Sequence, residues 1–256
     1  MRNKLIKKLL SILFAIAFWI TFWKAASLLI SENLKLFLPS PFSVISAFIN
    51  LVQESQFWKA VILTLIRIFG GFVFGVTAGI IFGILTSHIR VFDIVISPAM
   101  RIIRAVPVVS FIILAYLFIN VNYLPIFICF LMVMPLVWQT VHDELEGFDK
   151  NQSEMASVFG IVGFKRLIYV ELTSVWNKVL SAMINGIGLA WKSGVATEVL
   201  CTPAISLGRN LYRAKGNINY DEVYAVTLTV VILSITIENI IKLCYTHNKR
   251  QEKSHD

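Results

Sequence analysis

Residues 68–85 read IFGGFVFGVTAGIIFGIL, an apolar run with no charged side chain. About 20 such residues are what a helix needs to cross the hydrocarbon core of a bilayer, so the run predicts a membrane-spanning helix. Its glycines recur as Gly71, Gly75, Gly79 and Gly83. A four-residue spacing lays them along one helix face, where the missing side chains let a second backbone approach closely. The stripe predicts a packing face against another helix of the same bundle; a water-lined path is the rival reading.

The 256-residue chain as a whole carries the same signature, with 57% hydrophobic and 15% charged residues and a mean hydropathy of +0.76. A soluble domain carries roughly 25% charged residues, so this chain has too few to cover itself with a polar surface. Apolar blocks near 20 residues, in place of short alternating stretches, imply helices and exclude an outer-membrane barrel. Cys129, Cys201 and Cys244 lack metal-ligand spacing and read as free thiols. His88, His142, His247 and His255 have no second His or Cys at i+3 or i+4, and Asp143, Glu144 and Glu146 read as a solvated cluster. No catalytic or metal constellation is visible. There is also no GxxxxGK[ST], so any nucleotide has to be hydrolysed by another chain. The net charge of +8 resembles a nucleic-acid signature, but in a membrane chain the placement of the cations matters more. No nucleic-acid partner is expected.

Six spans are predicted. The first covers residues 9–30 behind Arg2, Lys4, Lys7 and Lys8; a cleaved signal peptide is its rival, disfavoured by the aromatic end Trp19, Phe22 and Trp23. A short interfacial helix is expected over 42–51. The further spans cover 68–85, 102–119 with Pro107 inside, 124–141, 179–200 and 223–241, giving a single transmembrane domain with its core at 9–241, a polar loop at 142–178 and a tail at 242–256. The segment before the first span, the loops after the second and fourth, and the tail hold most of the Lys and Arg. The opposite face holds only Lys35, Lys59, Arg67, Arg209, Arg213 and Lys215. The positive-inside rule therefore puts both termini and the 142–178 loop in the cytoplasm of a multi-pass membrane protein.

Within the fifth span, Lys192 and Glu198 lie among Gly186, Gly188, Gly194 and Ala196. An ionisable group at membrane depth normally faces a cavity or a partner, and a spacing of six sets these two about 240° apart around a helix. Two readings stand. The helix breaks near 192–194 and its halves line a substrate path, or the span ends early with both groups interfacial and Lys192 snorkelling.

The polar loop contains Glu154, Met155, Ala156, Ser157, Val158, Phe159 and Gly160, then, after nine residues, Val170, Glu171, Leu172 and Thr173. This resembles the "EAA, three residues, G, nine residues, I-x-L-P" loop of permease subunits in binding-protein-dependent ABC importers. Glu154, Ala156, Gly160 and Leu172 match, Val170 is a mild variant, Met155 takes the second motif position, and Thr173 stands where the family has Pro. Residues 39–42, 64–71 (TLIRIFGG), 104–108 (RAVPV) and 188–200 (GLAWKSGVATEVL) look like the nitrate, sulfonate and taurine branch, which also includes permeases for vitamin precursors. The resemblance covers 38–238.

It implies an all-α integral membrane protein of the type I ABC importer permease fold, with a cytoplasmic coupling helix between spans 4 and 5. It also implies a bacterial or archaeal cytoplasmic membrane and an EAA loop that docks on an ATPase. The implied partners are a pair of ABC ATPase subunits carrying ATP and Mg, a second permease chain in a homodimer, an extracytoplasmic substrate-binding protein and the lipid membrane. Glu154, Ala156, Ser157, Phe159 and Gly160 are the expected ATPase-coupling residues, with Ala156, Ser157 and Gly160 a small docking face and Phe159 and Phe164 aromatic plugs. Pro107, Trp191, Lys192, Gly194 and Glu198 are the expected pathway or gate residues. The rivals are an ion-coupled carrier or channel using Lys192 and Glu198, and a membrane-embedded enzyme.

Overall fold

The computed structural model describes residues 2–29 and 36–252, and every regular element among them is helical. Ile30 and Lys35, the last residues of the basic tail, and the side chains of Phe164 and Cys244 lie outside the described residues. The helices are α1 (Arg2–Leu29), α2 (Pro41–Gln53), α3 (Ser55–His88), α4 (Arg90–Ala105), α5 (Val108–Tyr116) and α6 (Leu124–Glu146). They continue with α7 (Lys150–Val158), α8 (Phe164–Arg166), a π turn at Leu167–Glu171, α9 (Leu172–Cys201), α10 (Leu207–Gly216) and α11 (Tyr220–Glu252).

The chain divides into two compact units, Met1–Lys59 with Asn210–Val230, and Ala60–Arg209 with Val231–Asp256. In the first, α1 and α2 touch and Lys24 sits over the ring of Phe42, 5.5 Å from its centroid. The start of α2 is set by local chemistry: Ser40 caps it by accepting a bond from the Ser43 amide at 3.2 Å, and Pro41 occupies the first turn, where its missing N–H costs nothing. Trp23 packs on Tyr224, and Phe37 on Tyr220.

In the second unit α6 is the hub. It packs extensively on α9, and α4 and α5 pack beside it. Leu124, Ile128, Cys129, Val133, Val137 and Val141 are buried along its length, on more than one side of the helix. A helix apolar all round belongs in the interior, surrounded by other helices. The glycine stripe of α3 lies on α6. A Cβ built on Gly71 would stand 2.3 Å from the Ile126 carbonyl oxygen, and one on Gly79 2.8 Å from that of Met134. At Gly75 and Gly83 it would meet the Cβ atoms of Val133 and Val141 at 2.9 Å and 2.6 Å. Four successive turns of α3 are therefore as close to α6 as backbones allow.

By length and composition three described helices are able to cross a membrane: α3, α6 and Tyr220–Leu243 of α11. The third span expected over 102–119 is not one continuous helix. In its place α4 and α5 are bent by 103° at Pro107. The cause is local. Val106 adopts an extended conformation (φ −81°, ψ 132°), as the residue before a proline prefers, and Pro107 then caps α5 without a side-chain bond. Nine residues of α5 rise only about 14 Å, so α5 alone does not cross a ~30 Å core. If α4 and α5 count as one broken span, up to four apolar crossings fall among the described residues by this measure, which does not confirm the six expected.

The stripe generates a test with an internal control. Gly75→Leu and Gly79→Leu are expected to lower thermal stability by about 1–3 kcal/mol through overpacking. Gly70→Ala on the same helix, where nothing lies within 4 Å of the added carbon, should be neutral or gain about 0.5–1 kcal/mol from helix propensity. Melting of the purified variants in detergent reads both, and equal melting of all three would refute the packing claim.

Candidate functional site

The loop segment singled out by sequence folds as the short helix α7, and its end has a specific geometry. Gly160 has φ +71°, a left-handed conformation that costs an L-residue about 1–2 kcal/mol. The Ile161 amide donates to the Ala156 carbonyl at 2.9 Å and the Gly160 amide to the Ser157 carbonyl at 3.0 Å. This is a Schellman ending, in which the glycine satisfies the last carbonyls and turns the chain away. Gly160 has open space around its absent side chain, so within this chain it is required for its backbone conformation. Ala156 is buried and so is not part of an open docking face as expected, while Glu154 and Ser157 are exposed. What the segment offers outward is apolar: Met155, Val158, Phe159 and Val162 are all exposed, Val158 to 84% and Phe159 to 75%.

Between α7 and α9 the chain passes through the π turn, where Glu171 is buried between an arginine and a histidine. Its Oε1 accepts from Arg166 Nε at 2.8 Å and its Oε2 is 2.9 Å from His88 Nε2 at the end of α3. Sequence reasoning passed over Glu171 because it fills the variable position of the motif. Thr173, standing where the family has Pro, lets the π turn run directly into α9, its hydroxyl donating to the Ile168 carbonyl at 3.2 Å. Close by, Trp138 stacks on His142 and donates to the Thr86 hydroxyl at 3.0 Å.

The helix expected as the fifth span does not break at 192–194. α9 runs uninterrupted from Leu172 to Cys201 and ends at Thr202, whose φ is +46°. Two features keep it whole. A Cβ on Gly194 would lie 2.6 Å from Ile68 and 2.8 Å from the Cys129 sulfur, so the glycine serves close packing. The hydroxyls of Ser193 and Thr197 bond back to the carbonyls of Leu189 and Ser193, at 2.9 Å and 2.7 Å, and need no cavity for their polarity.

The expected pathway residues are not brought together. Pro107 is exposed at the α4–α5 bend, Trp191 and Gly194 are interior, and Lys192 is exposed. Glu198 is fully buried and faces α3. Its Oε1 accepts from Arg67 at 3.2 Å, and its Oε2 from Thr64 at 2.8 Å and the Gly208 amide at 3.4 Å. Arg67 also donates to the carbonyls of Ile205 (2.8 Å) and Asn122 (3.1 Å). It is thus an interior residue and not one of the loop cations among which the topology count placed it. The signal was available: Arg67 and Glu198 are oppositely charged residues in or beside apolar runs, each needing a partner at membrane depth.

Removing one partner of a buried pair leaves an uncompensated charge, which costs about 3–5 kcal/mol. Arg67→Met and Glu198→Met are each expected to lower the yield and melting temperature of the purified chain sharply. The double variant should recover much of the loss, and loss in the double equal to the sum of the singles would show that the two side chains are not coupled.

Residues 75–251 match the family described as binding-protein-dependent transport system inner membrane component. A Brucella melitensis chain named as a probable ABC transporter permease protein is 23% identical over 84% of this chain and 87% of its own length. A Bacillus subtilis chain, SsuC, whose name assigns it as an aliphatic sulfonates transport permease protein, is 21% identical over 80% of this chain and 75% of its own. Among solved structures, an amino acid ABC transporter chain superposes with a TM-score of 0.65 at 20% identity, covering 78% of this chain and 98% of that one. A chain of the MetNI methionine ABC transporter, in an inward-facing conformation, gives 0.56 at 17% identity, covering 87% and 99%. The fold is therefore shared with importer permeases, and the chain belongs to the family of binding-protein-dependent transport system inner membrane components.

Proposed function

We propose that this ABC importer permease works as one of two identical copies enclosing a translocation path, with a pair of separate ATPase subunits docked on α7 and a binding protein delivering substrate from outside. ATP and Mg sit on the ATPase subunits. The termini and the 142–178 loop lie on the cytoplasmic side, where most of the chain's loop and tail Lys and Arg fall. The cargo is a small organic solute or anion of the nitrate, sulfonate and taurine type, a reading supported by the segments at 64–71 and 188–200 and by the similarity to SsuC.

The observation that carries this reading is the exposed apolar edge formed by Met155 and Val158 of α7 with Phe159 and Val162 of the turn that follows it, in the polar loop between α6 and α9. An apolar edge on a polar loop favours a protein cleft over water, and an exposed aromatic is the side chain best suited to anchor such a contact. Glu171 ties the far side of that loop to α3, so a push on α7 reaches the spans through its buried carboxylate and the partly exposed Arg166 and His88. An ion-coupled carrier using Lys192 and Glu198 is the weaker reading, because Glu198 is paired with Arg67 and Lys192 lies on the exposed side of α9.

The test uses the left-handed turn. Gly160→Val strains it by about 1–2 kcal/mol, whereas Asn tolerates the conformation far better. In the assembled transporter, Gly160→Val and Phe159→Glu are expected to cut substrate-stimulated ATP hydrolysis and uptake at least tenfold with normal membrane insertion, and Gly160→Asn to retain most of both. Wild-type uptake by the Val and Glu variants, with normal recovery of ATPase subunits on the complex, would sink the coupling role.

A further inference from the structure

Lys192 projects from the exposed side of α9, nine residues before its end, a distance of about 14 Å along the axis. A four-carbon stem does not bridge that distance, so the ammonium is not carried to the helix terminus by its own length. Among the described residues Lys192 makes no hydrogen bond or ion pair. It lines a pocket of about 300 Å³ between α9 and α11, together with Asn185, Gly188, Glu238 and Lys242.

The charges in this pocket do not cancel. Glu238 and Lys242 are 3.5 Å apart, one turn from each other on α11, and form a pair. Lys192 is left over, so the pocket carries one net positive charge, with the Asn185 amide as a neutral donor beside it. Gly188 shapes the opening. A Cβ there would lie 3.3 Å from Glu238 Oε1, so the glycine lets the carboxylate rest close against α9.

We infer that this pocket is a site for a single, compact oxyanion head group with a short organic tail. The reading deepens the proposed function by naming where the cargo's charged end is held. An ammonium offers three donors and no acceptor, and the amide nitrogen adds another, matching a group with several equivalent terminal oxygens and one negative charge. The volume is at the small end of ligand pockets, which suits a head group and a few carbons. A sulfonate and a lipid phosphodiester share this chemistry.

The paired Glu238 gives the test its sign. Neutralising it removes the one carboxylate among the described residues lining the pocket, so Glu238→Gln should bind an oxyanion more tightly, whereas Lys192→Gln should bind it more weakly. The experiment is equilibrium binding of radiolabelled methanesulfonate to the permease–ATPase complex in phosphatidylcholine nanodiscs, with unlabelled dimethyl sulfone as a neutral competitor. The expected results are saturable binding to wild type unaffected by the sulfone, a loss of at least tenfold in K192Q, retention in K192R, and a gain of about threefold in E238Q. A second arm replaces part of the lipid with phosphatidylglycerol. Competition in wild type and E238Q but not K192Q would identify lipid phosphate as an occupant of the same site, and no competition would leave the soluble anion as its ligand. Equal affinity in wild type and K192Q, or weakening in E238Q, overturns the proposal. Failure of the ATPase subunits to copurify would instead count against the permease assembly, since binding to the isolated chain still reads the pocket.

Discussion

The ion pair between Arg67 and Glu198 is the constraint from which much of the second unit follows. Moving two charges out of water costs several kcal/mol each, and their attraction offsets that only when the remaining donors and acceptors are satisfied. Here they are: Thr64 and the Gly208 amide complete the carboxylate, and the carbonyls of Ile205 and Asn122 complete the guanidinium. Satisfying the pair therefore fixes more than two side chains. It places the link before α6, turns the chain at Thr202, and brings the start of α10 against α9, where a Cβ on Gly208 would fall 2.4 Å from that of Glu198.

From that end α3 runs along α6 with no side chain between them at the four glycines, and at its other end a second set of polar contacts closes the unit. Thr86 takes the indole N–H of Trp138, and His88 meets Glu171 on the π turn. Polar groups fasten both ends of a dry helix contact. In such a unit α3 and α6 move together, because sliding one along the other would drive Cβ atoms into glycine backbones. In the proposed coupling, a force delivered to the loop around α7 would meet Glu171 first. Its buried carboxylate bridges Arg166, ahead of the π turn, and His88, at the end of α3.

The helical membrane class, the glycine face and the short loop helix were legible because they rest on local periodicity: an apolar run, a spacing of four, and a small motif ending in glycine. The structure departs from the sequence reading where the cause is tertiary. The sequence reading gave Gly194 the role of a hinge beside a charge, yet three-way packing with Ile68 and Cys129 makes it a filled contact, which one helix seen alone does not reveal. Arg67 was grouped with loop cations because α3 begins at Ser55, well before its uncharged stretch, so the arginine lies inside the helix. Pro107 was placed inside a span because apolar length outweighed the preference of the preceding residue for extended backbone. The left-handed turn at Gly160 was visible as a motif letter, and only the backbone gives its reason.

The spans also differ in how much of the bilayer each one feels. Within the chain 61% of the apolar window of α6 is buried, compared with 22% for α11. The first is solvated by protein, so its environment is written into the sequence of its neighbours. The second takes its environment from whatever surrounds the chain, whether acyl tails or another protein surface. Changes in membrane thickness are accommodated by tilting or thinning at a helix's lipid contacts, at fractions of a kcal/mol per Å. Such changes will register along α11 and leave α6 nearly untouched, which makes the physical state of the lipid an input to the α9–α11 side of the protein.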